Sequence, residues 1–388
     1  MSPAPPLSLY VHVPWCVRKC PYCDFNSHQV PSGALPEDSY VAALIGDLDH
    51  DLGFVGDREL QSIFIGGGTP SLFRPETFAA LLDAVAERVP FATDIEVTLE
   101  ANPGTIEHGR FAGYREAGIS RVSLGVQSFD AGHLTRLGRI HSPDDVFRAV
   151  DELKQGGIRN FNLDLMYALP GQTLAQAELD VRTACDLQPL HLSHYQLTLE
   201  PGTVFHHRPP GDLPDADLSW EMQQACQSLI AQNGFAQYEV SAYATNESRC
   251  RHNLNYWQFG DYIGIGAGAH GKLTDSEKGH VVRTIRHKQP RTYLGADSAP
   301  GRIQECRRVE VTELPFEFML NALRLRGGFD LTTFEVTTGL SRSVLERPLG
   351  QAVASGLIER TSQEGWRPSE LGWRFLNDLQ ALFLEPGP

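Results

Sequence analysis

The 388 residues read as an α/β chain: an open, parallel (β/α)6 partial barrel with a smaller, mostly helical, winged-helix-like C-terminal domain. Three observations predict this. Short β-rich runs recur at 7–13, 62–68, 94–100, 121–127, 160–166 and 191–198. Stretches with helical apolar spacing, such as PETFAALLDAVAERV (75–89) and PDDVFRAVDELKQGG (143–157), lie between them, with Pro or Asp near their starts. Beyond about residue 235 the alternation stops. Repeated βα units with short loops imply a parallel sheet, and six units imply an open barrel.

Taken in order, the strands deliver chemistry at their C-terminal ends, where such sheets bind ligands. LSLYVHV runs into PWCVRKCPYCDF, which holds Cys16, Cys20 and Cys23. SIFIGGG runs into GGGTP, DIEVTLE ends on Glu100, RVSLGVQ ends on Gln127, and NFNLDLM carries Asp164 near its end. These units form a core over 1–238. Residues 239–308 read as a connecting region, rich in Tyr, Asn and Gly at first and polar and irregular over 273–305. Residues 309–388 carry helical patterns at about 315–326, 330–338 and 342–355, a possible hairpin in GLIERTSQEGWRPS, and a last helix in ELGWRFLNDLQALFL.

Composition narrows the function. Hydrophobic content of 41% and charged content of 21% are ordinary for a soluble globular protein. No apolar run approaches the roughly 20 residues that span a bilayer. A net charge of −15 argues against a general nucleic-acid binder. The winged-helix-like pattern does not reverse this, because 309–388 holds seven arginines, no lysine and eleven acids. An odd count of seven cysteines with no secretory signal ahead of them disfavours disulfides and points to the cytoplasm.

Cys16, Cys20 and Cys23 follow the spacing C-x3-C-x2-C, three thiolates from one loop. A structural zinc site wants four ligands, and His12 or His28 would have to complete it. A four-iron, four-sulfur cluster on three thiolates keeps one iron open to a small molecule. The glycines of GGGTP let backbone approach a ligand closely. Glu100 at a strand end is placed to accept hydrogen bonds from ribose hydroxyls, as acidic residues do in dinucleotide sites. Gln127, Arg139 and Asp164 are polar residues at strand ends or loops, and Arg139 suits a carboxylate partner. In HNLNYW, His252 is a candidate axial ligand for haem iron, with Cys250 as its rival. Tyr256 and Trp257 offer flat rings for a macrocycle. GIGAGAHG (264–271) supplies a second glycine-rich close approach.

Together, PWCVRKCPYCDF, FIGGGTPS, EANPGT, GVQSFD, NLDLMYALPGQT and HNLNYWQFGDYIGIGAGAHG resemble the oxygen-independent coproporphyrinogen III oxidase family of radical S-adenosylmethionine (SAM) proteins, and within it the HemW-type haem chaperones. The likeness covers nearly the whole chain. It implies that Cys16, Cys20 and Cys23 hold a 4Fe-4S cluster whose open iron takes the amino and carboxylate groups of SAM. It implies that Gly67, Gly68 and Thr69 line the methionine end and that Glu100 holds the ribose. Gln127, Arg139 and Asp164 would complete the pocket, with Tyr10 and Tyr195 as further walls. In such proteins an electron from the cluster cleaves SAM to methionine and a 5′-deoxyadenosyl radical.

Departures separate the two branches. The oxidase pattern adds a fourth cysteine two residues after the third, and here that position is Phe25. Only nine residues precede Tyr10, fewer than the oxidase pattern expects. HNLNYW is a hallmark of the chaperones. The resemblance therefore implies haem binding and transfer to acceptor proteins, membrane respiratory enzymes among them, with His252, Tyr256 and Trp257 at the haem site and no catalytic residue assigned. The competing implication is radical decarboxylation of coproporphyrinogen III, with Arg283, Arg286, Lys288 and Arg291 as a cationic cluster for its carboxylates.

Overall fold

The computed structural model describes residues 4–30, 34–105, 110–245, 248–275, 279–362 and 365–384. Its core is a parallel sheet of β1 (Leu7–Val13), β2 (Leu60–Gly67), β3 (Phe91–Ala101), β4 (Arg121–Gln127), β5 (Phe161–Tyr167) and β6 (His191–Gln196), paired in that order. Every residue of β1 except Tyr10 is buried. Strands covered on both faces read as near-continuous apolar runs, which is why the sequence announces them. Leu7, Leu9, Val11 and Val13 join the main apolar core beneath the helices. The alternating residues of β1 are polar or aromatic and meet their neighbours on β2: Ser8 Oγ lies 2.8 Å from Ser62 Oγ, and Tyr10 stacks on Phe64.

Helices α1 (Glu37–Asp51), α2 (Pro75–Ala86), α3 (Arg110–Glu116), α4 (Ala131–Arg136), α5 (Pro143–Gln155) and α6 (Leu174–Asp186) intervene between strands. Ser142 and Asp145 form a capping box at the start of α5, with Pro143 at its first turn. Thr173 and Gln176 do the same for α6.

The region beyond about residue 235 departs from expectation. Short strands β7 (Ala236–Gln237) and β8 (Ala242–Ala244) add antiparallel to the edge at β6. On the other side β9 (Asp261–Ile265) pairs parallel with β1, making seven parallel strands rather than six. Then β10 (His270–Asp275), β11 (His280–Arg286) and β12 (Ile303–Arg308) extend the same sheet antiparallel, to twelve strands among the described residues. Residues 273–305, expected as an irregular connection, thus carry the end of β10, all of β11 and the start of β12, with a short helix at Pro290–Leu294. Arg286 is fully buried and bonds Asp51 of α1 at 2.6 Å, fastening this extension to the core. Arg283 instead pairs with Glu317. The two arginines expected to form one cationic cluster thus serve separate ion pairs.

Helix α7 (Ala216–Gln232) packs against α6, and helix α8 (Arg251–Trp257) crosses the N-terminal part of the strands. Arg251 N donates to Glu96 Oε1 (2.9 Å) and His252 Nδ1 lies 3.0 Å from Ser62 Oγ, so α8 closes that end of the sheet's inner face.

The C-terminal part has its own core, in which Phe318, Phe329, Phe334, Trp366 and Leu379 gather with Phe259 and Val281. Helices α9 (Leu314–Ala322), α10 (Leu331–Thr338) and α11 (Glu346–Ala354) precede a two-stranded hairpin of Ile358–Arg360 and Trp366–Pro368. Of the expected hairpin sequence, Gln363 and Glu364 lie outside the described residues. The expected last helix is two short ones, Glu370–Arg374 and Leu376–Ala381, broken at Phe375, whose φ of −112° and ψ of 46° are not helical.

Candidate cofactor site

The cysteine loop is pinned from three sides. Trp15, buried, packs edge-on against Tyr40 and stacks on Phe73. Gly68 N donates to Val13 O and Thr69 N to Trp15 O, both at 2.7 Å, laying the turn after β2 along the loop. Asn26 Nδ2 reaches Ala267 O and Lys288 O, both at 2.9 Å, and its backbone carbonyl meets His12 Nε2 at 2.8 Å.

Both glycine-rich runs fit against protein. A Cβ on Gly67, whose φ is +112°, would sit 2.5 Å from the His12 ring, and one on Gly268 would sit 2.2 Å from Asn26 Nδ2. The bare backbone at these points lets the cysteine loop seat; at Gly67 and Gly68 it also borders the cleft.

Cys16, Cys20 and Cys23 are free, half-buried thiols that line one cleft of about 750 Å³, counted to its open mouth. Gly67, Gly68, Thr69, Glu100, Gln127, Arg139, Asp164 and Tyr195 line the same cleft. Thr69 Oγ1 donates to Cys16 Sγ at 3.4 Å, and Arg139 Nη1 lies 3.7 Å from Cys20 Sγ. Burial pushes the Cys16 and Cys23 thiols up, the Cys16 rise opposed by the Thr69 hydroxyl. Gly67 N donates to Glu100 Oε2 at 3.0 Å. Burial, and next the Asp164 charge, push the Glu100 carboxyl up to about 7. Asp164 is itself raised by burial, against hydrogen bonds from Asn162 Nδ2 (2.8 Å) and Ser123 Oγ (3.1 Å). Tyr195 OH donates to Gln127 Oε1 at 2.8 Å, and Gln127 holds a φ of +68° where the pairing of β4 with β5 slips. That conformation costs a non-glycine residue energy and turns the strand end toward the cleft.

The donor set fits a cluster better than zinc. Neither His12 nor His28 lines the cleft. His12 spends its nitrogens on Tyr10 OH and Asn26 O, while His28 Nε2 meets Asn26 Oδ1 and Lys288 O. Among the described residues no three His, Cys, Asp or Glu converge on a position for a single ion. Thiolates spread around a cleft suit a four-iron cluster, which takes each one on a different iron. Arg139 Nε, on the cleft wall, is a buried donor with no acceptor among the described residues, free for a ligand carboxylate.

Sequence reasoning overlooked Tyr22, Asn102 and Ser123, which also line the cleft. Ser123 shares the period-two face of β4 with Gly125, a signal that was available. Tyr10, expected as a wall, is not on the cleft: its hydroxyl bonds His12 Nδ1 at 2.9 Å and its ring lies among Phe64 and His252.

The HNLNYW residues lie apart from the cysteines, on α8. His252 is 1% exposed, edge-on to Tyr256 and close to Phe64, and burial pushes its pKa down to about 3. Cys250 is equally enclosed, with Sγ 3.6 Å from Glu96 Oε1. The expectation that His252 or Cys250 presents itself to haem iron does not hold in this conformation, because helix packing encloses both. Tyr256 packs on Tyr262, whereas Trp257 reaches a separate groove beside the C-terminal part.

Residues 10–184 match the family model of the Radical SAM superfamily, and residues 309–375 that of the HemN C-terminal domain. The chain is 49% identical over 385 residues to the protein named heme chaperone HemW of Escherichia coli (strain K12), covering 99% of this chain and 100% of that one. It is 38% identical over 339 residues to heme chaperone HemW of Bacillus subtilis (strain 168), covering 86% and 87%. It is 39% identical over 326 residues to the mitochondrial radical S-adenosyl methionine domain-containing protein 1 of Mus musculus, covering 82% and 73%. Among solved structures, the coproporphyrinogen III oxidase HemN of Escherichia coli superposes with a TM-score of 0.81 over 98% of this chain and 91% of that one. At 21% identity that likeness is one of fold.

Proposed function

The chain belongs to the HemW family within the radical SAM superfamily, and on that footing we propose that it binds haem and passes it to acceptor proteins in the cytoplasm, membrane respiratory enzymes among them. Its cleft holds a 4Fe-4S cluster and SAM. The observation that carries the cofactor reading is the facing of three free thiols onto one cleft together with Glu100, Asp164 and an unsatisfied Arg139 Nε.

In this reading Cys16, Cys20 and Cys23 are the cluster ligands. A bound cluster would supply the electron and the open iron that SAM cleavage needs. Arg139 holds its charge beside Cys20 and offers Nε to a carboxylate. The backbone of Gly67, Gly68 and Thr69 borders the methionine end. Glu100 accepts from ribose hydroxyls, while Gln127, Asp164 and Tyr195 wall the remainder. Tyr10 drops out of the set, since His12 takes its hydroxyl. Of the HNLNYW residues, Trp257 contributes to haem binding, because it alone among His252, Tyr256 and Trp257 reaches the wider groove beside the C-terminal part.

A chaperone is favoured over an oxidase by Phe25, 58% exposed on the cleft rim, where the oxidase pattern has a further thiol. The test is an anaerobic, iron-reconstituted sample given SAM, reductant and coproporphyrinogen III, beside a haem titration of the same sample. A shifted Soret band with no protoporphyrinogen is expected. Turnover to protoporphyrinogen overturns the reading.

A further inference from the structure

Resting on the haem reading above, we propose that the planar macrocycle lies not in the cysteine cleft but in the groove between α7, α8 and the two short C-terminal helices, held by indole faces and by Arg374. Two volumes separate the sites. The cysteine cleft is about 750 Å³ to its open mouth, which a cluster and SAM already claim. The groove is about 1770 Å³ on the same measure, more than twice the cleft.

The groove walls match a flat aromatic ring carrying carboxylates. Three of the five tryptophans of the chain line it. Each has a guanidinium over its face: Arg324 on Trp257 at 4.3 Å, Arg326 on Trp373 at 4.2 Å, and Arg374 on Trp220 at 4.7 Å. Indoles stack on planar rings, and arginines bind carboxylates as charged, forked donors. Arg324 and Arg326 are already held by Glu239 and Glu370, which fixes them as wall. Arg374 forms no ion pair among the described residues and stands exposed at the rim, able to take a propionate. Two further donors on the wall, Trp257 Nε1 and Arg324 Nε, lack an acceptor among the described residues. Trp220, 39% exposed, is a large apolar side chain left open to solvent in the same groove. Among the described residues no His, Cys or Met lines it, so binding there rests on the ring and carboxylates rather than on the iron.

The experiment titrates the full chain with haem and, separately, with iron-free protoporphyrin IX, following tryptophan quenching and the Soret band. The wild type is expected to bind both. Trp220→Ala and Arg374→Glu, both at exposed positions, should each weaken both by about tenfold or more while leaving the melting temperature unchanged. Haem binding of wild-type strength in both variants overturns the groove and leaves the chaperone reading standing. Haem binding without porphyrin binding overturns the groove too, because it requires an iron ligand. A wild type that binds neither overturns both.

Discussion

Arg139 lies with Nη2 2.6 Å from Gly125 O and Nη1 3.7 Å from Cys20 Sγ, so one guanidinium joins a strand end of the barrel to the middle thiol of the cysteine loop. The loop is therefore positioned by the same residues that shape the rest of the cleft, and substitutions here separate cluster binding from folding.

Replacing Cys16, Cys20 or Cys23 with Ser should abolish iron binding in anaerobically reconstituted protein. Trp15, Asn26 and the Thr69 backbone hold the half-buried loop besides the contacts its thiols make, and serine keeps a polar atom at each of those contacts, so the melting temperature of the apo-protein should barely move. Iron and sulfide counted per chain check this; stoichiometric iron in any of the three variants sinks the assignment.

SAM binding should strengthen as pH rises through about 7. Burial and Asp164 raise the Glu100 carboxyl to about 7, from 4.5, so the acid form is favoured in the empty protein. A ribose that donates two hydrogen bonds prefers the carboxylate. The sign for stability is opposite: the raised acid contributes stability that is complete below about pH 4.5 and lost as pH rises through 7. Glu100→Gln should flatten the SAM affinity profile between pH 6 and 8, measured by equilibrium dialysis. A profile as steep as the wild type's would remove Glu100 from the ribose.

Gly67→Ala should destabilise the protein by about 1–3 kcal/mol, from the positive φ and the contact with His12 together. Urea unfolding of the apo-protein measures it. Alanine accepted without loss would mean that the turn relaxes freely, and that the glycine is not needed to seat the cysteine loop.

Arg286→Ala should cost about 3–5 kcal/mol, because it leaves Asp51 buried without its charge partner. The loss reports how firmly β10 to β12 are bound to the core. A change under about 1 kcal/mol would show an extension that is only loosely attached.

Acid should loosen the protein from about pH 6.5 downward. Burial lowers His252 to about 3, so its neutral ring contributes stability that is complete above pH 6.5 and is lost as pH falls toward 3. His252→Gln should reduce the slope of unfolding free energy against pH over that range. An altered Soret band in the haem complex of this variant would return His252 to the list of iron ligands.

The parallel strands were legible because both of their faces are buried, so LSLYVHV and RVSLGVQ show as apolar runs with a polar residue at each informative end. The antiparallel extension was not. HGKLTD spends Lys272 on Asp261, and IQECRR is almost wholly exposed at the sheet edge; neither offers a run or a clean alternation. The cysteine spacing was visible as a motif, whereas the Arg139–Cys20 approach joins positions 119 apart and no local pattern announces it. HNLNYW stood out by its residues but misled about exposure. A seven-residue helix does not disclose which of its faces is packed, and His252 faces Ser62 rather than solvent.

The rings of Tyr10, Phe64, His252 and Tyr256 fill the inner face of the sheet where α8 closes it. The cysteine cleft and the tryptophan groove share no lining residue. A nucleoside ligand and a macrocycle would not compete for space, and neither need leave before the other arrives. On the reading proposed above, this separation predicts random-order loading: the occupancy of one site sets no queue for the other.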